Sequence, residues 1–88
     1  MSATIKFEPK AQDELNKLPL DITDRIVEKL HKAQENLEHF LERLEGMPEY
    51  KIRVGDYRVI LLWDKPLSLL KIQAVGHRKN IYKRYKTS

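Results

Sequence analysis

"YKIRVGDYRVILLW", residues 50–63, reads as two strands and the turn that joins them. Both arms are rich in β-branched and aromatic residues, which suit a pleated, half-buried surface. Between them Gly55-Asp56 suits a two-residue loop with glycine first. Closing the arms symmetrically around that loop sets Val54 opposite Tyr57, Arg53 opposite Arg58, Ile52 opposite Val59 and Lys51 opposite Ile60. A four-residue loop keeps the same register, and only a bulge would change it. Because side chains alternate along a strand, Ile52, Val54, Tyr57, Val59, Leu61 and Trp63 share one face, which is a core face.

The other face carries Lys51, Arg53 and Arg58 beside Ile60 and Leu62. Arg53 and Arg58 stand directly across from one another. Like charges so opposed cost roughly a few tenths to 1 kcal/mol. An anionic ligand over the pair would remove that repulsion; long arginines splayed into water are the alternative reading.

Downstream of "DKP", the run "LSLLKIQAV" supplies a third strand and completes a meander. Upstream, "ATIKFE" alternates apolar and polar residues as a short strand does. Pro9 fits a helix start, with Ala11, Leu15 and Leu18 at helical spacing until Pro19. Asp21 suits the cap of a second helix, which puts Ile22, Ile26, Val27 and Leu30 on one face and runs to about Asn36. The order is therefore β-α-α-β-β-β: one small α+β domain over residues 1–88, an antiparallel sheet with a two-helix hairpin on one face. Leu37, Phe40 and Leu41 either pack beneath the second helix or form a docking surface.

The chain closes on "AVGHRKNIYKRYK", residues 74–86, with five cations and two tyrosines, in which a short basic helix can form. If the third strand runs antiparallel to the second, its end lies beside the hairpin turn and Arg78 approaches Arg58. Lys51, Arg53, Arg58 and Arg78, from separate segments, then converge on one surface. Such a set suits a phosphodiester better than a simple carboxylate.

Charge is unevenly spread. Residues 1–44 hold seven Lys/Arg and nine Asp/Glu, a balance of −2, whereas residues 45–88 hold ten and four, a balance of +6. A clustered field of this kind steers a polyanion, although solvated charge explains it too. No cysteine is present, so there is no thiol nucleophile, disulfide or thiolate metal site. His31, His39 and His77 lack zinc-site spacing, the three glycines form no phosphate loop, and no cofactor is implied. No apolar stretch approaches the ~20 residues of a membrane span, and "MSATIKFEPK" lacks a signal-peptide core. A cytoplasmic protein is the expectation.

RNA can be cut by its own 2′-hydroxyl without a metal in principle, given a base, charge stabilisation at phosphorus and a proton for the departing oxygen. Arginines suit the second role. Lysine is a poor base at its ordinary pKa of about 10.4, and crowding by arginines would lower that value, which makes Lys51 the candidate base. Tyr82 can stack on a nucleobase or donate a hydrogen bond. His77, next to Arg78, is more simply read as structural or exposed than as a proton carrier.

Taken together, "PKAQDELNKL", "LEGMPEYKIRVGDYRVIL" and "AVGHRKNIYKR" resemble the RelE branch of the RelE/ParE toxin superfamily, collinearly over nearly the whole chain. The resemblance implies a ribosome-dependent mRNA endonuclease, held in check by a RelB-like antitoxin in a heterodimer or heterotetramer. It implies catalytic roles for Lys51, Arg53, Arg58, Arg78 and the terminal aromatic Tyr82. Lys79, Lys83, Arg84 and Lys86 are expected to bind RNA or the ribosome. Some family members have a lysine where this chain has Arg53, which leaves Lys51 as the only strand lysine of the set. An antitoxin helix would cover apolar surface and could displace the segment that carries Tyr82. Two alternatives remain: a gyrase inhibitor of the ParE branch, and an inactive RNA-binding relic of the same fold.

Overall fold

The computed structural model describes residues 2–85. Its elements are β1 (Thr4–Phe7), α1 (Pro9–Asn16), α2 (Leu20–Glu35), α3 (Leu37–Phe40), β2 (Glu42–Arg43), β3 (Tyr50–Val54), β4 (Tyr57–Asp64), β5 (Leu69–His77) and α4 (Arg78–Arg84). The strands form one sheet in the order β1-β5-β4-β3-β2. The α+β class and the β3-β4-β5 meander are those expected from the sequence. Three features are added: the short β2 at one edge, the single-turn α3, and a parallel pairing of β1 with β5 at the other edge.

The hairpin register is the expected one, with Arg53 opposite Arg58 and Lys51 opposite Ile60. Gly55 has φ +59, while among the described residues the only non-glycine with positive φ is Ser68, so Asp56 is at negative φ. That combination is the II′ pattern, whose twist matches the strands it joins. Between β4 and β5 the register shifts at Ile60/Leu61, so that Ile60 pairs with Ala74 and Leu61 with Ile72. Gln73 is the extra residue.

Ile52, Val54, Val59, Leu61, Leu70, Ile72 and Val75 point from the sheet into the main core, where Tyr57 and Trp63 pack at its margin. Ala11 and Leu15 of α1 and Ile26, Leu30 and Ala33 of α2 meet them there. Pro9 occupies the first turn of α1, where its missing N–H is no loss. Two details depart from expectation. Asp21 is not the cap of α2: the helix begins at Leu20 behind Pro19, whose carbonyl accepts from the Ile22 and Thr23 amides. Asp21 stands in the first turn, where its charge still favours the helix dipole. Val27 is exposed, because the buried stripe follows 26, 30 and 33 and leaves position 27 about 100° away. Leu37, Phe40 and Leu41 pack into the core, which settles the choice left open for them.

The second face of the sheet is not bare. Leu44, Ile60, Ala74 and Ile81 form a smaller cluster there, bordered by Met47, Tyr82 and Tyr85. α4 therefore roofs one part of this face, and the cationic side chains lie beside that roof.

Candidate functional site

The hairpin sets the first three cations. Strand alternation and the β3–β4 register put Lys51, Arg53 and Arg58 on the face opposite the main core. Their surroundings differ. Arg53 is exposed, Lys51 is 8% exposed, and Arg58 is only 2% exposed. Lys51 lies 3.9 Å from Glu42, its cross-strand neighbour on β2.

Arg58 is the unusual member. Its Nη1 donates to the carbonyl oxygens of Gly55 and Tyr57, both at 2.8 Å, and its Nε donates to the Tyr82 hydroxyl at 3.2 Å. The guanidinium carbon stands 5.8 Å from the centre of the Tyr82 ring. Among the described residues no carboxylate pairs with it. A buried cation held only by neutral acceptors keeps most of its field available to an incoming anion.

The end of β5 lies beside the start of β4, pairing His77 with Tyr57 and Gly76 with Arg58. The next residue, Arg78, opens α4 against the hairpin tip: its amide donates to the Asp56 carbonyl at 2.8 Å, and its Nε lies 3.9 Å from the Asp56 carboxylate. Its side chain is half exposed. His77 caps α4, its Nδ1 accepting from the Lys79 amide at 3.2 Å, and its ring meets Tyr57 edge-on. That is a structural role. His31 and His39 are exposed.

Of the basic residues expected to meet RNA, Lys79 and Lys83 are exposed on α4, whereas Arg84 donates to Glu14 of α1 at 2.6 Å. Lys86 lies outside the described residues. Sequence reasoning passed over Glu14 and Asp56. Asp56 lies in the hairpin loop, where its sequence context signals only turn chemistry. Glu14 meets Arg84 across 70 positions of sequence, and no local pattern signals such a partner.

A cationic face beside a helix with a tyrosine is a geometry that several chemistries share, and comparison with known proteins narrows it. Residues 5–82 match the family model of the ParE toxin of the type II toxin–antitoxin system parDE. The chain belongs to this toxin family. Among solved structures the toxin is similar to the toxin–antitoxin complex RelBE2 from Mycobacterium tuberculosis, at 26% identity, 89% of this chain, 100% of that chain and a TM-score of 0.79. It is also similar to the archaeal RelE–RelB complex from Pyrococcus horikoshii OT3, at 27% identity, 89% of this chain, 97% of that one and a TM-score of 0.74. A mutant of the Escherichia coli toxin RelE in the free state shares the fold, with a TM-score of 0.81 at 24% identity over 98% of this chain and 96% of that one. The toxin is thus RelE-type within the RelE/ParE superfamily. No curated protein sequence matches it significantly. Among the described residues, no helix of the toxin is long and apolar enough to cross a membrane.

Proposed function

We propose that the toxin is an endoribonuclease that cuts mRNA in the ribosomal A site, and that a RelB-like antitoxin restrains it. One observation carries the reading: Arg58, a buried arginine with no carboxylate partner among the described residues, shares a sheet face with Lys51 and Arg53 and is touched by Tyr82.

In the proposed reaction the 2′-oxygen of a nucleotide attacks its own 3′-phosphorus. The O2′–P bond forms and the P–O5′ bond breaks, leaving a 2′,3′-cyclic phosphate and a 5′-hydroxyl. Lys51 Nζ, as the neutral amine, takes the 2′-hydroxyl proton and becomes the ammonium. Arg53 and Arg58 face the non-bridging oxygens as charge builds on them, where fixed donors act most strongly. Arg78, exposed at the hairpin tip, hydrogen-bonds the departing 5′-oxygen, which takes its proton from water. Tyr82 offers its ring to a neighbouring base. Lys79 and Lys83 contact phosphates of the RNA or the ribosome. The partner reading is motivated by the RelB–RelE complexes among the similar structures.

The test programs ribosomes with a defined message and follows 5′ ends by primer extension, with wild type and Arg78→Ala. Cleavage by wild type and its loss in the variant are expected. A message left intact by wild type, or cut equally by the variant, overturns the reading. The family model is named for ParE, which motivates a second reading, a gyrase inhibitor of the ParE branch. A supercoiling assay separates the two, since only that reading expects inhibition there.

A further inference from the structure

The outer edge of β5 is covered by β1 only as far as Ile72, which pairs with Phe7 and whose carbonyl accepts from the Glu8 amide. Beyond that point no strand among the described residues covers the edge, and an outward-pointing strand amide there needs a partner. Glu14 of α1 supplies it: one carboxylate oxygen accepts from the Val75 amide at 3.1 Å. The other oxygen accepts from Arg84 Nη1 at 2.6 Å, with the two side chains 24% and 34% exposed respectively. One carboxylate thus ties α1, β5 and the last residue of α4 together.

α4 has seven residues, too few to hold a helix by its own hydrogen bonds. Its place is set by what it touches. At its start, the Arg78 amide is anchored on Asp56 and His77 caps the first turn. In its middle, Ile81 is fully buried and lies over Gly76. At its end stands Arg84, two residues after Tyr82, where a cation also complements the helix dipole. The last turn, beyond the buried Ile81, can still fray. Fraying there lets the Tyr82 hydroxyl leave Arg58.

We propose that Glu14 and Arg84 are positioning residues: their ion pair fixes the end of α4 so that Tyr82 keeps its hydroxyl on Arg58 and holds that guanidinium in one orientation. The catalytic consequence rests on the nuclease reading; the positional one does not. Arg84 then serves the site through its ion pair with Glu14, in contrast to Lys79 and Lys83, which point to solvent.

Glu14→Gln tests this cleanly, because the amide oxygen still accepts from Val75 while the charge that holds Arg84 is gone. Arg84→Ala removes the same pair from the exposed side, and Arg84→Lys restores the charge. In the full-length toxin carrying 13C-labelled tyrosine, Glu14→Gln and Arg84→Ala should shift the Tyr82 ring signals. They should also speed hydrogen exchange of α4 amides roughly tenfold while β4 and β5 stay protected, and Arg84→Lys should recover much of both. In the cleavage assay both variants should lower kcat more than they raise KM. Neither should add to the defect of Tyr82→Phe, since they act through that hydroxyl. Unmoved Tyr82 signals, or protection lost evenly over sheet and α4, overturn the proposal. So does a cleavage defect that adds in full to that of Tyr82→Phe. If wild type leaves the message intact, the nuclease reading falls while the ring signals and exchange rates still decide the latch.

Discussion

Replacing Arg58 with methionine separates what this residue does for the fold from what it does for chemistry. The guanidinium is 2% exposed and makes three hydrogen bonds, to Gly55 O, Tyr57 O and Tyr82 OH. Hydrogen bonds to a charged group contribute about 1.5–3 kcal/mol each, so the three together give roughly 5–9 kcal/mol. Against this stands the desolvation of the ion, several kcal/mol even after relaxation. The two nearly cancel. Methionine is of similar length, carries no charge and stands on the same sheet face as the cluster of Ile60, Ala74 and Ile81. The carbonyls it abandons lie at the hairpin end, where Gly55 is exposed and water can replace the lost donors. Arg58→Met should therefore unfold within about 1–2 kcal/mol of wild type, a shift of at most about 8–16 °C in Tm for a domain of this size. The transition is followed in urea by fluorescence of Trp63, the only tryptophan. Cleavage on ribosomes should fall about 10²–10³-fold, as when one fixed donor is removed from a charge-stabilising site. A loss beyond about 4 kcal/mol would make Arg58 a structural keystone, since that exceeds what desolvation leaves over. Normal cleavage by the variant would remove it from the site.

The remaining predictions follow the same logic. Lys51→Ala should lower the cleavage rate at saturating ribosomes by about 10²–10⁴-fold, the range of a lost general base; a change confined to KM would reassign Lys51 to binding. Lys79→Ala with Lys83→Ala should leave that maximal rate unchanged, while the slope of log affinity for single-stranded RNA against log salt drops by about 1.4 units. An unchanged slope would take α4's exposed face out of contact with RNA. Gly55→Ala should cost roughly 1–2 kcal/mol in urea unfolding because an L residue is strained at φ +59, and the Arg25 guanidinium, 2.9 Å from the new Cβ, must swing aside. Gly46→Ala, at φ +72 with open space around it, should cost the strain alone.

Much of the molecule is legible in the fourteen residues around the turn. Side-chain alternation has period two, and Gly55-Asp56 leaves one compact way to close the strands, so local chemistry alone puts Arg53 against Arg58 and separates a core face from a cationic one. The helices follow from the spacing of Ala11 and Leu15 and of Ile26 and Leu30; Pro9 marks the start of the first and Pro19 the break between them, while the start of the second at Leu20 was not legible. The charged end of the chain is visible as composition. These features are local, and a local signal survives without the rest of the fold.

What only the tertiary structure decided are the contacts between distant segments. β1 joins β5 in parallel, β2 adds an edge of two residues, and Gln73 bulges from the sheet. Each depends on which strand arrives beside which, and a pattern of alternating residues is the same for any neighbour. Burial follows the same rule: Arg53 and Arg58 are equivalent by register, but α4 lies over one and leaves the other in water. Arg84 reads as one more surface cation until Glu14 meets it across the fold. A residue's type and spacing state what it can do; which groups surround it depends on how the whole chain closes, because desolvation and hydrogen bonding are properties of a place rather than of a residue.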